Sequence, residues 1–184
     1  MGSLISKVSL KSYIWITNLW WILSVLVVFY RIARDPAVLT LHLANWIQLD
    51  LLCVPWDFQV DSLSGIMLVI IAIISGILNF YSLDYMYGDG HLLQFMGELD
   101  IFAFAINGLV MSNNLVVLFF SWELVGLCSY LLICFWKERQ QSLRSGFKAV
   151  LYNKVGDVFL LLAIGSALEL IKTFDLDLSC LLLP

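Results

Sequence analysis

The sequence predicts an all-α, polytopic membrane protein with about five transmembrane helices, and three observations lead there. Apolar residues make up 61% of the 184-residue chain and charged residues 13%, against about 45–50% and about 25% in soluble domains. Mean hydropathy is +0.93. Apolar runs long enough to cross a hydrocarbon core, about 20 residues each, recur along the chain. The basic residues are divided unequally between the connections, which is how a membrane protein encodes its orientation. A net charge of −4 leaves no electrostatic footprint for nucleic acid, and no such partner is expected. The expected surroundings are membrane lipids.

The first span is expected over 13–30. Lys7 and Lys11 precede it as they would a signal peptide, but the apolar stretch is longer and more aromatic than a signal's apolar region. No small-residue cleavage site follows. Arg31, Arg34 and the Asp35-Pro36 break end it. The Met-Gly start with Ser6 fits a lipidation pattern, which an adjacent span makes superfluous. Segment 37–60 is apolar but interrupted by His42, Gln48, Asp50, Pro55 and Asp57, so it is read as an extended or interfacial segment. A clean second span covers 63–83, free of charge between Asp61 and Asp84. Its Gly65 and Gly76 allow close helix approach. A third span over 92–111 is less regular, because Glu98 and Asp100 fall in its first half. These acids are expected at headgroup depth on a tilted helix or at a subunit contact. Cys53, Cys128, Cys134 and Cys180 show no paired spacing, and His42 and His91 are isolated, so no metal site is expected.

The fourth run, 114–136, contains one ionisable group, Glu123. At about 1.5 Å per residue it lies roughly 14 Å from one end and roughly 20 Å from the other. An acid at that depth costs about 2.5–3.5 kcal/mol to insert. The fifth span, 147–171, carries Lys154 and Asp157, three apart and hence on one helix face. Two successive spans with an acid, a base and an acid sketch a proton path, with Lys148 as a guide at its mouth. Two plainer readings stand beside it: Glu123 as interhelical glue, worth about 0.6 kcal/mol, and Lys154 with Asp157 as a self-neutralised structural pair.

SWELVGLCSYLLICFW followed by KAVLYNKVGDVFL closely resembles the antiporter-like chain 5 of respiratory complex I, the proton-pumping NADH:ubiquinone oxidoreductase. Trp122, Glu123, Val125, Gly126, Tyr130, Lys148, Asn153, Val155, Gly156 and Asp157 fall into the family's register. VDSLSGIML, FYSLDYM and NNLVVLFF extend the resemblance, which covers about residues 55 to 175. It implies that this chain forms the N-terminal part of an antiporter-like helix bundle in the mitochondrial inner membrane. It also implies an extended or hairpin excursion near 37–60, and a chain that opens at the family's second helix. Glu123 would exchange protons under the control of a lysine on a later helix, with Lys154 and Asp157 as a modulating pair. Lys154 stands where the family usually has Arg, and Leu124 where it usually has Gly. Flavin, iron–sulfur clusters and quinone would lie elsewhere in the complex, and no redox chemistry is expected in this chain.

With five spans, Lys7, Lys11, Lys137, Arg139, Arg144 and Lys148 share one side, and Arg31, Arg34 and Lys172 the other. The richer side is expected in the matrix. The family's later helices are not in the sequence, which ends at Pro184. The expected partners are therefore other membrane-arm subunits of complex I, including a second polypeptide that supplies the remaining helices. Two other readings share these motifs or charges. One is an antiporter subunit of a multi-component sodium/proton exchanger or membrane-bound hydrogenase, in a bacterial plasma membrane. The other is a structural scaffold with frozen charges.

Overall fold

The computed structural model describes residues 38–49 and 52–171, together with isolated helical positions between 16 and 34. Most of the predicted first span and everything after residue 171, including Lys172, lie outside the described residues. Two strands, β1 (Leu39–Leu49) and β2 (Leu52–Val60), precede four helices. These are α1 (Ser62–Tyr85), α2 (Leu92–Met111), α3 (Leu115–Ile133) and α4 (Gln140–Ile171). The expectation of an all-α chain is thus corrected to a mostly helical one with a two-stranded antiparallel sheet. The physical reason is the period-two alternation of Leu39, Leu41 and Leu43 with Thr40 and His42, which suits a pleated strand. Pairing runs from Leu39 opposite Val60 to Leu49 opposite Leu52, with irregularities between His42 and Ala44 and between Asn45 and Ile47. Pro55 lies opposite Asn45, beside the second irregularity. A residue without an N–H is tolerated there. His42 and Asp57, opposite one another, are hydrogen-bonded across the two strands through Nδ1 and Oδ1.

Among the described residues three helices, α1, α2 and α3, are long and apolar enough to cross a membrane. Their packing is inverted relative to a soluble bundle. On α1 the buried positions are Ser64, Gly65, Ala72, Asn79 and Ser82, while Leu63, Ile66, Ile70, Ile73 and Ile77 form an exposed stripe. On α3 Ser121 and Cys128 are buried with Val117. Hydrocarbon surroundings explain this sorting. Lipid gives apolar side chains no reason to leave it, so small and polar residues occupy the contacts.

The ends of α1 and α3 are set by side chains. Asp61 and Ser64 make a reciprocal capping box at the start of α1. Bonds from Ser64 hold the Asp61 carboxyl below the usual carboxylate range. Asn114 caps α3 by accepting from Val116 N–H at 3.0 Å, and its amide nitrogen donates to the Pro55 carbonyl at 3.4 Å. Asn113 N–H donates to the Asp57 carbonyl at 3.4 Å. The hairpin is therefore docked on the α2–α3 turn, and Trp46, Trp56 and Phe120 close it with edge-to-face contacts. The turn between α1 and α2 needs φ +94° at Gly88, a conformation glycine adopts without a Cβ penalty.

The two irregular acids of α2 face inward. Asp100 accepts from the buried Asn79 amide of α1 at 3.2 Å, and Glu98 accepts from Gln94 at 2.9 Å. Helix α4 starts at Gln140, about two turns before the residue expected to open the fifth span. The extra turns are polar and carry Arg144. At this corner α4 runs so close to α3 that a Cβ on Gly146 would collide with Cys134 Sγ and meet the Tyr130 ring at 3.3 Å. Gly146→Ala should therefore destabilise the assembled protein by about 1–3 kcal/mol through overpacking. Adding Cys134→Ala should recover most of that loss in thermal denaturation of the membrane-extracted protein.

Candidate functional site: an ion-pair network between two helices

Helix α3 has two working faces. Val117, Ser121 and Cys128 are buried, and Ser121 meets α2 at Gly108, where an added Cβ would lie 3.1 Å from its Oγ. Trp122, Glu123, Gly126 and Tyr130 turn towards α4. Opposite them α4 presents Val150, Asn153, Lys154 and Asp157, and the two sets line a groove of about 390 Å³. A Cβ on Gly126 would stand 3.4 Å from the Asn153 amide nitrogen, an ordinary van der Waals contact.

Three of the four predicted residues meet in this groove. Lys154 Nζ donates to Glu123 Oε2 at 2.6 Å and lies 3.3 Å from Asp157 Oδ2. The side chains differ sharply in exposure: 58% for Lys154, 33% for Glu123 and 7% for Asp157. The ammonium thus bridges a buried anion on its own helix and a more accessible one on the neighbouring helix. Charge-assisted bonds of this kind are shorter and stronger than neutral ones. Lys148 does not join them. It precedes Lys154 by six residues, which rotates it by about 240° around the helix axis, and it is exposed on α4. Among the described residues no group of three His, Cys, Asp or Glu side chains is placed to hold a metal ion.

Sequence reasoning missed one member of the network. Trp122 Nε1–H donates to Asp157 Oδ1 at 2.9 Å, so both oxygens of the buried carboxylate are engaged. The signal was available: an indole N–H in a membrane-spanning run has to find an acceptor within the protein. Ser129, Tyr130 and Asn153 also line the groove, and their polarity keeps it wettable.

The comparisons with known proteins point the same way. Residues 46–96 match the family described as NADH-ubiquinone oxidoreductase (complex I), chain 5 N-terminus, and residues 112–180 match the NADH:quinone oxidoreductase/Mrp antiporter transmembrane family. NADH-ubiquinone oxidoreductase chain 5 of Acanthamoeba castellanii is 39% identical over 148 residues, covering 80% of this chain. The Triticum aestivum chain 5 is 41% identical over 150 residues, covering 82%. The chain belongs to the complex I chain 5 family. It spans 22% of the length of each of these two relatives.

Solved structures agree on the fold. A chain of the membrane-bound sulfane sulfur reductase, an archaeal respiratory membrane complex, superposes with a TM-score of 0.76 at 11% identity. The match covers 90% of this chain and 34% of that one. A chain of the Mrp complex from Dietzia superposes with a TM-score of 0.72 at 25% identity, covering 88% and 18%. Apolar helices and chain 5 relatives together make this a multi-pass membrane protein and a member of a family whose relatives are named as chains of an enzyme complex.

Removing the shared cation is expected to be worse than removing either acid. Lys154→Met leaves Asp157 buried and short of its counter-charge, and breaking a buried pair from one side is strongly destabilising. Assembled protein, measured by native electrophoresis of membranes, should fall several-fold. Lys154→Arg, which keeps the charge, should assemble normally.

Proposed function

We propose that this chain is part of the membrane arm of a proton-translocating NADH:ubiquinone oxidoreductase, where it contributes a portion of an antiporter-like module. The observation that carries the proposal is a lysine held between two carboxylates on adjacent membrane helices. Lys154 Nζ donates to Glu123 Oε2 at 2.6 Å, and moving that ammonium towards Asp157 would leave the Glu123 carboxylate without its counter-charge. Glu123 is the proton-exchanging group, Lys154 the mobile charge and Asp157 its alternative partner. Lys148, at the α3–α4 end, gathers charge outside the network. The chemistry of NADH and quinone belongs to other subunits, and the energy arrives through contacts with them.

The proposal includes a single membrane domain of about five spans, 13–30, 63–83, 92–111, 114–136 and 147–171, in the mitochondrial inner membrane. The remaining helices of the chain 5 module pack over the groove that exposes Lys154. The Mrp likeness supports a second reading, an antiporter subunit of a sodium/proton exchanger. The near-40% identity to chains named as complex I subunits favours the first. A mass-spectrometric inventory of co-purifying subunits separates the two.

Glu123→Gln should leave the complex assembled, because the amide keeps shape and hydrogen bonding. Proton pumping coupled to NADH oxidation should fall by roughly 100-fold or more, the scale for losing a proton-transfer group. Normal pumping by an assembled Glu123→Gln complex would refute the assignment. The connection 134–139 should face the matrix. Cysteine introduced at Lys137 should react with an impermeant thiol reagent only from that side, and exclusive labelling from the opposite side would overturn the topology.

A further inference from the structure

Trp122 and Glu123 are neighbours in sequence, yet they engage different acceptors and donors on α4. Glu123 takes Lys154. Trp122 reaches past it to Asp157 Oδ1, 35 residues away in sequence, at 2.9 Å. The other Asp157 oxygen, Oδ2, faces Lys154 at 3.3 Å. Asp157 is thus tied to α3 through the residue next to Glu123, and the indole fixes which oxygen of the carboxylate is free to meet the ammonium. An aspartate lacking this bond could rotate about its terminal torsion, which is broad and roughly two-fold.

We propose that Trp122 is a positioning residue for charge transfer in this network: its indole N–H holds the Asp157 carboxylate as a fixed dock for Lys154, so that the lysine can leave Glu123 and return. The proposal rests on the proton-exchange reading of Glu123 given above. It assigns the tryptophan a role through its N–H, distinct from packing of its ring or anchoring in lipid. The half-exposed indole ring borders the groove, while the N–H points to a carboxylate that is almost wholly buried. A donor fixed in that direction keeps the Asp157 carboxylate aimed, at no cost in reorganisation when Lys154 moves. Because the two acids share one lysine, weakening the dock also strengthens the hold of Glu123 on Lys154.

The test is a double-mutant cycle in the assembled complex reconstituted into vesicles. Protons pumped per NADH oxidised, the pH profile of pumping and complex abundance are measured for Trp122→Phe, Asp157→Asn, the double variant and Glu123→Gln. Trp122→Phe keeps the ring and loses the donor. It should assemble normally, lower pumping by roughly 10-fold, on the scale of a lost hydrogen bond to a charged group, and shift the pH profile. With Asp157→Asn already present, adding Trp122→Phe should change little, because both act through one bond. Wild-type pumping and pH profile in Trp122→Phe, or effects that multiply in the double variant, would overturn the proposal. So would loss of assembly in Trp122→Phe with normal assembly in Asp157→Asn, which would assign the tryptophan to packing. If Glu123→Gln pumps normally, the proton-exchange reading falls and this proposal with it. If Glu123→Gln is inactive while the Trp122 and Asp157 effects multiply, only the tryptophan's role is lost.

Discussion

A lysine shared by two acids is what makes the α3–α4 pair a defined unit. Lipid offers these helices no hydrophobic reason to meet, since hydrocarbon and leucine are equally apolar. Polar contacts and close backbone approach must hold them together. Lys154 bonded to Glu123 and facing Asp157, and Trp122 bonded to Asp157, supply the first. Gly146 permits the second. The exposed aliphatic stripes elsewhere in the molecule follow from the same rule. Leu151, Val155, Val158 and Leu162 on α4 are turned outward because nothing inside the bundle needs them.

The same economy of polar contacts recurs at the other seams with different residues. Asn79 meets Asp100 between α1 and α2. Ser121 fits against Gly108 between α2 and α3. Both of these seams combine such a contact with apolar residues around it. The seam that also carries a positive charge is the one bordered by the larger groove, about 390 Å³ against about 110 Å³ beside Asn79 and Asp100. A positive charge and the larger of these two grooves coincide at the α3–α4 interface.

Much of this was legible from the chain alone, because helical spacing is rigid. Lys154 and Asp157 three apart have to share a face, and an acid at mid-run in α3 has to seek a partner. What spacing cannot give is the rotation of one helix against the next. The bond from Lys154 to Glu123 needed that rotation, and so did the separation of Lys148 from the network. Extended or hairpin backbone over 37–60 was expected, but its pairing as strands was obscured for a different reason. Leucine suits helix, strand and bilayer alike, so the alternation in 39–43 competes with a plain apolar reading, and only pairing with 52–60 decides it. Asp100 looked outward because charge in a span suggests the headgroups, whereas Asn79 on α1 offered an inward partner that linear order conceals.

The amide of Asn114 has a consequence for how the protein is built. One side chain ends a helix with its oxygen and pins the hairpin with its nitrogen. Its hairpin partner, Pro55, lies 59 residues earlier in the chain. Contacts of such long range carry a loop-closure penalty and form after local ones. During synthesis the hairpin emerges before α1, α2 and α3, and has no docking surface until the α2–α3 turn exists. It must wait, paired only to itself, while one helical hairpin, α1–α2, inserts behind it. A seated hairpin is therefore a record that insertion has already finished as far as the first turn of α3.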